Sequence, residues 1–388
     1  ALLATEEASK VQEVYRFLLI MRNELGAALD SKSTAKSLTF NLQAKLAARM
    51  NYRDDPKTGS SAVEQTLQDY YRAARTLFRF SYKVIRRIAS QLDPPRDTPV
   101  MPVKPRLGVA IVDREGWSFN INEGFVKGTR RILVPAGIES MQELEFYILP
   151  IFAYAAEQGV FLSGELMDLL EKAAPAFKKR MGEPDFADRA RQKFSDLLQS
   201  GHDISYVLWR LHFLRILPDL LPGFERMLGA VRADFTHRYT LDAHALKEAE
   251  FLERLIFHEE DETEKDEWSE SVRFLTERYV REVRRLGLLR VLRIALLTQT
   301  LFESRPQDVP AALEVLALEP HEISQINWLH GHLHRMIELM RRRAFLDFDV
   351  LKDFIRADLK GDYSLWSALL IATLVQLRLL RPERYQLY

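Results

Sequence analysis

The feature of this sequence that most constrains its fold is a long apolar stripe between Val63 and Ile88. Apolar residues recur there at steps of three and four positions, and polar or basic residues fill the gaps. This spacing predicts a helix that packs along one side only. The same pattern predicts nine further helices, at 11–25, 42–50, 142–158, 187–198, 206–217, 243–257, 271–289, 323–341 and 365–379.

One stretch interrupts the helical pattern. Residues 93–105 hold five prolines, which cannot donate helix hydrogen bonds and restrict the residues before them. Between about Leu107 and Val134, β-branched and aromatic residues lie between glycines, which predicts two to four short strands. We therefore predict a mainly α-helical chain with a small β insertion. Four parts are expected: a helical domain at 1–92, a Pro-rich connector with the β insertion at 93–135, a helical linker domain at 136–235, and a helical bundle at 236–388.

Composition excludes several classes of function. The 388 residues include no cysteine, which excludes disulfide-stapled modules, thiolate metal sites and cysteine nucleophiles. Lys and Arg number 55, as do Asp and Glu, so the zero net charge argues against a general nucleic-acid binder. The longest uncharged apolar stretch, Tyr363–Leu377, is too short and polar to span a bilayer. The first ten residues lack the features of a signal peptide, and we expect a cytoplasmic protein.

An acidic tract at 258–270 holds eight acidic residues and one lysine. Arginines follow at positions 273, 278, 281, 284, 285, 290 and 293. Such blocks are typical of a solvated loop followed by the exposed face of a helix. The alternative is a docking surface for a protein partner or a larger assembly.

Catalytic motifs are scarce. The sequence has no P-loop, no strand-linked G-x-G-x-x-G and no G-x-S-x-G. Asp347 and Asp349 form the nearest carboxylate pair, but a nucleotidyltransferase also needs a Gly-Ser helix start shortly before such a pair. The only Gly-Ser step of that kind, at Gly59–Ser61, lies far upstream. We expect either aspartate to cap the N-terminus of a helix.

Two groups of histidines are candidate metal ligands. On a helix, His330 and His334 of the HGHLH segment would share a face, while His332 would point away. No acidic third ligand stands at a fixed offset and Arg335 follows, so surface or capping histidines are expected.

The second group is His237 and His244. Thr240 or Asp242 has the character of a helix N-cap, which places His244 in the first turn of the following helix. We expect His244 to be half buried and hydrogen-bonded to a neighbour.

Several stretches carry a family resemblance. They are Leu38–Asp55 with Ser61–Leu77, then Arg215–Leu246, then Ala312–Met336. In order and spacing they resemble the bacterial PII-protein uridylyltransferase/uridylyl-removing enzymes: the helical region after the nucleotidyltransferase domain, the entry into the HD domain, and a later helix pair of that domain. The resemblance implies a chain that starts after the nucleotidyltransferase domain and stops before the glutamine-sensing ACT domains. It also implies a PII-type protein as partner.

In active HD domains, a histidine, a His-Asp pair and a distal aspartate hold divalent metals that activate water. The resemblance places His244 at the first histidine, Thr298 and Gln299 at the His-Asp pair, Gly331 and His332 at the later histidines, and Leu374 at the distal aspartate. Two imidazoles remain and both carboxylates are lost, so little negative charge is left to neutralise a cation. An alternative alignment uses His258 and Glu259 as the pair, with an acidic loop behind the metal.

These considerations predict a degenerate HD-like bundle in a non-catalytic regulatory or structural binding module. We expect no catalytic residue, no cofactor and no metal, with His244 and His332 as residual ligand-type positions, and a protein partner or an oligomer. Two alternatives stay open. One is a divergent metal-dependent HD phosphohydrolase that uses His244, His332 and His237 with an acidic residue from elsewhere. The other is a structural subunit that docks through 258–293.

Overall fold

The computed structural model of this protein describes most of the chain and groups it into two compact units. The described residues are 5–29, 40–56, 59–92, 109–112, 118–126, 130–135, 143–162, 164–231, 239–257, 270–341, 348–354, 356 and 364–379. Unit 1 comprises residues 1–98 and 226–243, and unit 2 comprises 99–225 and 244–388. His237, His258, Glu259, Asp347 and the acidic tract up to residue 269 lie outside the described residues.

Unit 1 is built on three helices: α1 (Thr5–Ala28), α2 (Phe40–Arg49) and α3 (Ala62–Leu92). All three contact one another. A capping box starts α3, because the Glu64 N–H donates to the Ser61 hydroxyl while the Ser61 N–H donates to the Glu64 carboxylate. The helix predicted at Val63–Ile88 is confirmed and is longer than the apolar stripe alone indicates. The stripe is not wholly packed as predicted, because Phe78 and Ile85 in it are exposed.

The later segment of unit 1 is bound to the polar side of α3. The Gln68 and Arg72 side chains donate to the Leu228 carbonyl oxygen, and the Arg75 guanidinium lies 2.8 Å from the Asp242 carboxylate. Asp242 also accepts the Gly229 N–H. These polar contacts join Leu228 and Asp242 of this segment to α3.

A four-stranded sheet belongs to unit 2. Its strands are β1 (Val109–Val112), β2 (Ser118–Val126), β3 (Arg130–Pro135) and β4 (Phe161–Leu162), in that order across the sheet. The first three are antiparallel neighbours and confirm the predicted β insertion, whereas β4 pairs parallel to β3. β4 was not predicted, because two residues are too few to show an alternating pattern.

The rest of the structure is helical, which confirms the mainly α-helical fold. The helices are α4 (Ile148–Gln158), α5 (Gly164–Arg180), α6 (Pro184–Gln199), α7 (Ser205–Phe213), α8 (Leu217–Leu220), α9 (Phe224–Met227), α10 (Leu241–Phe257), α11 (Glu270–Arg285), α12 (Leu289–Ser304), α13 (Val309–Glu314), α14 (Pro320–Arg341), α15 (Phe348–Phe354) and α16 (Trp366–Leu379). Each of the ten predicted helices has a counterpart. The helix expected at 271–289 ends earlier, since Gly287 adopts a φ of 67° between α11 and α12.

Helix α12 is the centre of unit 2. Every residue from Val291 to Leu301 is buried, and α12 contacts α6, α13, α14 and α16. Its Arg293 side chain is fully buried and binds both carboxylate oxygens of Glu253 on α10, at 2.7 and 2.8 Å. The same guanidinium donates to the carbonyl oxygens of Leu198, Ser200 and His202, at the end of α6 and just beyond it. One arginine thus joins three segments of the core.

The division of the chain at residues 92, 135 and 235 stays a prediction. In the portion of the chain that the structure describes, no helix has both the length and the apolar character needed to cross a membrane.

Candidate functional site

Helix α10 places two titratable side chains one turn apart in the core of unit 2. The Nε2 atom of His244 lies 3.3 Å from Oε1 of Glu248. His244 is 8% exposed and Glu248 is fully buried. The helix begins at Leu241, so Thr240 occupies the N-cap position and Asp242 lies in the first turn. His244 therefore has a carboxyl group as its neighbour one turn away, in a more enclosed environment than the half-buried one that the sequence predicted.

Glu248 is surrounded by groups from other helices. Burial raises the pKa of its carboxyl, and the nearby carboxylate of Glu303 on α12 raises this pKa further. His244 and the side-chain amide of Gln376 on α16 act in the opposite direction, because both stabilise the ionised form. The net effect keeps Glu248 neutral over a wider pH range than a carboxyl in water.

Helix α12 places Thr298 and Gln299 close to these groups. The Thr298 hydroxyl donates to the Ile294 carbonyl oxygen at 2.6 Å and lies 3.0 Å from Nε2 of His330. The Gln299 amide donates to the Glu303 carboxylate at 3.0 Å. Both residues are buried. The two side chains that stand in place of a His-Asp pair are thus engaged in bonds within the protein.

His330 on α14 is fully buried, so the expected surface position is wrong for this histidine. Its ring stacks on Phe302, with ring centres 4.9 Å apart, and Nε2 also lies 3.1 Å from the Ala295 carbonyl oxygen. Burial lowers the pKa of His330 to about 4, so the ring is neutral at physiological pH. His330 faces the core because α12 covers that side of α14.

The other members of the HGHLH segment lie in different surroundings. His334 is exposed, so His330 and His334 do not share one environment as a chelating pair would. His332 is half buried, stacks on Trp328 at 4.1 Å, and donates from Nδ1 to the Trp328 carbonyl oxygen. Gly331 is exposed and has open space beside it. His330, rather than His332, is therefore the imidazole next to Thr298.

The remaining candidate residues lie apart from this site. Leu374 is half buried on α16, two residues before Gln376. Asp349 is exposed in the first turn of α15, one residue after the helix start, so it is not the N-cap of that helix.

We call His244, Glu248, Thr298, Gln299, Glu303, His330 and Gln376 the polar cluster. The positions that the resemblance assigns to the carboxylate ligands hold none, but Glu248 and Glu303, which lie outside that alignment, bring two carboxyl groups to the cluster. The spacing of His244 and Glu248 was a usable signal, since residues four apart meet on a helix. The proximity of Glu303 to Glu248 and His330 gave no such signal, because these two residues belong to other helices, α10 and α14.

The polar cluster does not fit a divalent metal ion. Within the described ranges, no group of three or more His, Asp or Glu side chains is arranged to hold a metal. Thr298 and Gln299 would offer only neutral oxygens. The Thr298 hydroxyl donates to the Ile294 carbonyl oxygen and the Gln299 amide nitrogen donates to Glu303, whereas Oε1 of Gln299 is buried without a hydrogen bond. The arrangement brings polar groups of α10, α12, α14 and α16 together in the core, with one hydrogen bond between α12 and α14 at Thr298 and His330.

Comparisons with known proteins confirm the predicted resemblance. Residues 1–85 match the sequence model of the GlnD PII-uridylyltransferase family. Three similar curated proteins are each called a bifunctional uridylyltransferase/uridylyl-removing enzyme. The enzyme of Cereibacter sphaeroides is 25% identical to this chain, and the match covers 92% of this chain and 36% of the enzyme. The enzyme of Novosphingobium aromaticivorans is 24% identical, and the match covers 98% of this chain and 39% of the enzyme. The enzyme of Xanthomonas euvesicatoria is 26% identical, and the match covers 58% of this chain and 23% of the enzyme. The chain thus spans less than two fifths of the length of these relatives, and no solved structure matches it.

Proposed function

We propose that this relative of the bifunctional uridylyltransferase/uridylyl-removing enzymes is a non-catalytic regulatory or structural binding module. One observation carries the proposal. Thr298 and Gln299, at the positions that the resemblance assigns to metal ligands, are buried and bonded to His330 and Glu303. A threonine hydroxyl and a glutamine amide in these positions bring no negative charge to neutralise a divalent metal ion.

Electrostatics supports this proposal. A divalent cation needs anionic oxygen donors, which neutralise its charge and replace its water. Burial raises the pKa of Glu248, so this carboxyl would have to ionise against that cost before it could bind a cation. Glu303 already accepts the Gln299 amide, and His330 directs Nε2 at the Ala295 carbonyl oxygen and Thr298.

The scaffold does not depend on a metal. Helix α12 is enclosed by apolar contacts along most of its length, and Arg293 ties it to α10 and to the end of α6. A fold held in this way persists after its reaction is lost, because the apolar core and the site chemistry are separate properties. The module then acts by binding. A PII-type protein is the first partner to test, because the name of the matching family points to it.

A second candidate function follows from a specific observation. His244, Glu248 and Glu303 bring one imidazole and two carboxyl groups into one buried region. A divergent metal-dependent phosphohydrolase of the uridylyl-removing type would use these three groups. It would also require Glu248 to ionise and the bond between Gln299 and Glu303 to open, so we place it second.

The two functions are separated by metal binding and turnover in the purified chain. Isothermal titration with Mn²⁺, elemental analysis after dialysis, and hydrolysis of bis(p-nitrophenyl) phosphate and of uridylylated PII protein are the measurements. We expect no stoichiometric metal and no turnover above that of a matched Glu248→Gln variant. Stoichiometric Mn²⁺ binding together with turnover, both lost in Glu248→Gln, would overturn the proposal. PII binding is measured separately by biolayer interferometry, with uridylylated and unmodified PII protein compared.

A further inference from the structure

Exposed apolar side chains are concentrated in unit 1. All the large apolar residues that the structure describes as exposed belong to this unit: Tyr15, Leu19, Ile20, Tyr70, Tyr71, Phe78, Ile85 and Tyr239. Phe78 and Ile85 are the most exposed of them, at 67% and 66%. Single exposed apolar residues are normal on protein surfaces, but a set confined to one unit indicates an interaction surface.

Three of these residues form a straight row on α3. Tyr71, Phe78 and Ile85 are seven residues apart, which is the repeat of a coiled-coil seam. The row extends over about 21 Å at 1.5 Å per residue. The small residues Ala74 and Ser81 stand between the large ones, at the second apolar position of each heptad. Large and small side chains therefore alternate along this side of the helix. We call these five residues the α3 seam.

The shape of the α3 seam favours a helix over a membrane surface. A helix that lies in a membrane interface presents a broad apolar face, flanked by basic side chains that reach the lipid headgroups. The large exposed residues of the seam form a single row. Of the basic side chains nearby, Arg75 is bound to Asp242 and Arg72 donates to the Leu228 carbonyl oxygen. These two arginines are held within unit 1.

The charge of α3 defines the kind of helix that fits. From Tyr70 to Leu92, α3 has six basic residues and no acidic one. Two copies of α3 packed together would bring like charges into contact, which disfavours a second copy of this chain as occupant. An acidic helix meets the same surface with complementary charge.

We propose that the α3 seam binds an acidic amphipathic helix of a partner protein. The inference deepens the proposed function and rests on it to the extent that a binding module needs a binding surface. It does not rest on the loss of metal binding, because the polar cluster belongs to unit 2.

The test uses the full chain and a synthetic peptide of four heptads, with Leu at the a and d positions and Glu at e and g. A control peptide replaces each Glu with Lys. Fluorescence anisotropy measures the dissociation constant for the parent chain and for the double variant Phe78→Ser with Ile85→Ser. A control on α1, Tyr15→Ser with Ile20→Ser, removes apolar groups that are also exposed, at 56% and 47%. Thermal melting by circular dichroism establishes that each variant is folded.

We expect the Glu peptide to bind and the Lys peptide not to bind. The seam variant should weaken binding of the Glu peptide by about tenfold or more, and the α1 control by less than about twofold. The proposal is overturned if the Glu peptide does not bind, if both peptides bind equally, or if the seam variant binds as tightly as the parent.

Two further arms test the other occupants. Self-association in sedimentation velocity that the seam variant abolishes would assign the seam to a second copy. Binding to vesicles of equal parts phosphatidylglycerol and phosphatidylcholine that the variant abolishes would assign it to a membrane. Either result overturns the proposal, whereas the Mn²⁺ and turnover measurements on the same variants stand independently.

Discussion

Replacing Arg293 with methionine tests whether one buried guanidinium holds the core of unit 2 together. The substitution keeps much of the apolar volume and removes five hydrogen bonds: two to Glu253 and one each to the carbonyl oxygens of Leu198, Ser200 and His202. Each carbonyl oxygen left without its partner costs about 1 kcal/mol, or about 3 kcal/mol for the three. Removing one partner of a buried ion pair costs about 3–5 kcal/mol. Because Glu253 can become protonated, we place the total at about 4–6 kcal/mol, which is a large part of the stability of a typical domain.

The assay is urea unfolding followed by tryptophan fluorescence. All five tryptophans fall in the residue ranges of unit 2, so the signal reports on that unit. The double variant Arg293→Met with Glu253→Met also removes the carboxyl group that Arg293→Met leaves without its partner. We expect it to recover about half of the lost free energy of unfolding. A single variant that unfolds within about 1 kcal/mol of the parent would refute the reasoning. So would a double variant that is less stable than the single one.

The pH dependence of the same variant gives a second check. Burial already raises the pKa of Glu253 although Arg293 opposes this, and without Arg293 the pKa rises further. A carboxyl whose pKa is higher in the folded than in the unfolded state stabilises the fold at low pH, and this contribution is lost as the pH rises through the folded-state pKa. The destabilisation by Arg293→Met should therefore be larger at pH 8 than at pH 5, and a destabilisation that does not change with pH would contradict the assigned role of Glu253.

Three further predictions concern other parts of unit 2. His330 has a pKa of about 4 in the fold against an ordinary 6.5. The free energy of unfolding should therefore fall by up to about 3 kcal/mol as the pH decreases from 6.5 towards 4. In urea titrations His330→Gln should flatten this decrease, and an unchanged slope would contradict the assignment. Burial raises the pKa of Glu248, so Glu248→Gln should increase the free energy of unfolding at pH 8 relative to pH 5; a relative decrease at pH 8 would argue that the ionised carboxylate stabilises the fold. Gly223 has a φ of +86°, and an added Cβ would lie 3.0 Å from the Leu301 side chain, so Gly223→Ala should lower the melting temperature, with a loss of about 1–3 kcal/mol; an unchanged melting temperature would show that the turn can relax.

The sequence predicted α3 but missed α12 and α5, each for a different physical reason. Helix α3 has a clear apolar side and was predicted. Helix α12 was not, because it is buried all round from Val291 to Leu301 and so has no polar side to produce a period. Helix α5 was also missed, since it begins at Gly164 and contains Pro175.

The candidate site was predictable only in part, for a related reason. The position of His244 and the carboxyl group beside it follow from local helix geometry, which spacing along the chain reveals. The burial of His330 depends on α12 packing over it, and the proximity of Glu303 to Glu248 depends on how α10 and α12 pack. Such relations between distant segments leave no periodic trace in a single sequence. The HGHLH segment was therefore expected at the surface although its first histidine is part of the core.

The enclosure of α12 has an evolutionary consequence. Thr298 and Gln299 stand where neither water nor a metal reaches them without repacking of the surrounding helices. A single change to histidine or aspartate at either position would bury a polar or charged group with no cation to compensate it, at a cost of several kcal/mol. On the proposed function, in which a metal centre has been lost, each intermediate in its restoration would be less stable than the present protein, so point mutations arising one by one are expected to be eliminated before the pair is rebuilt. On that proposal, the buried setting of α12 makes the loss of metal ligands hard to reverse by single substitutions.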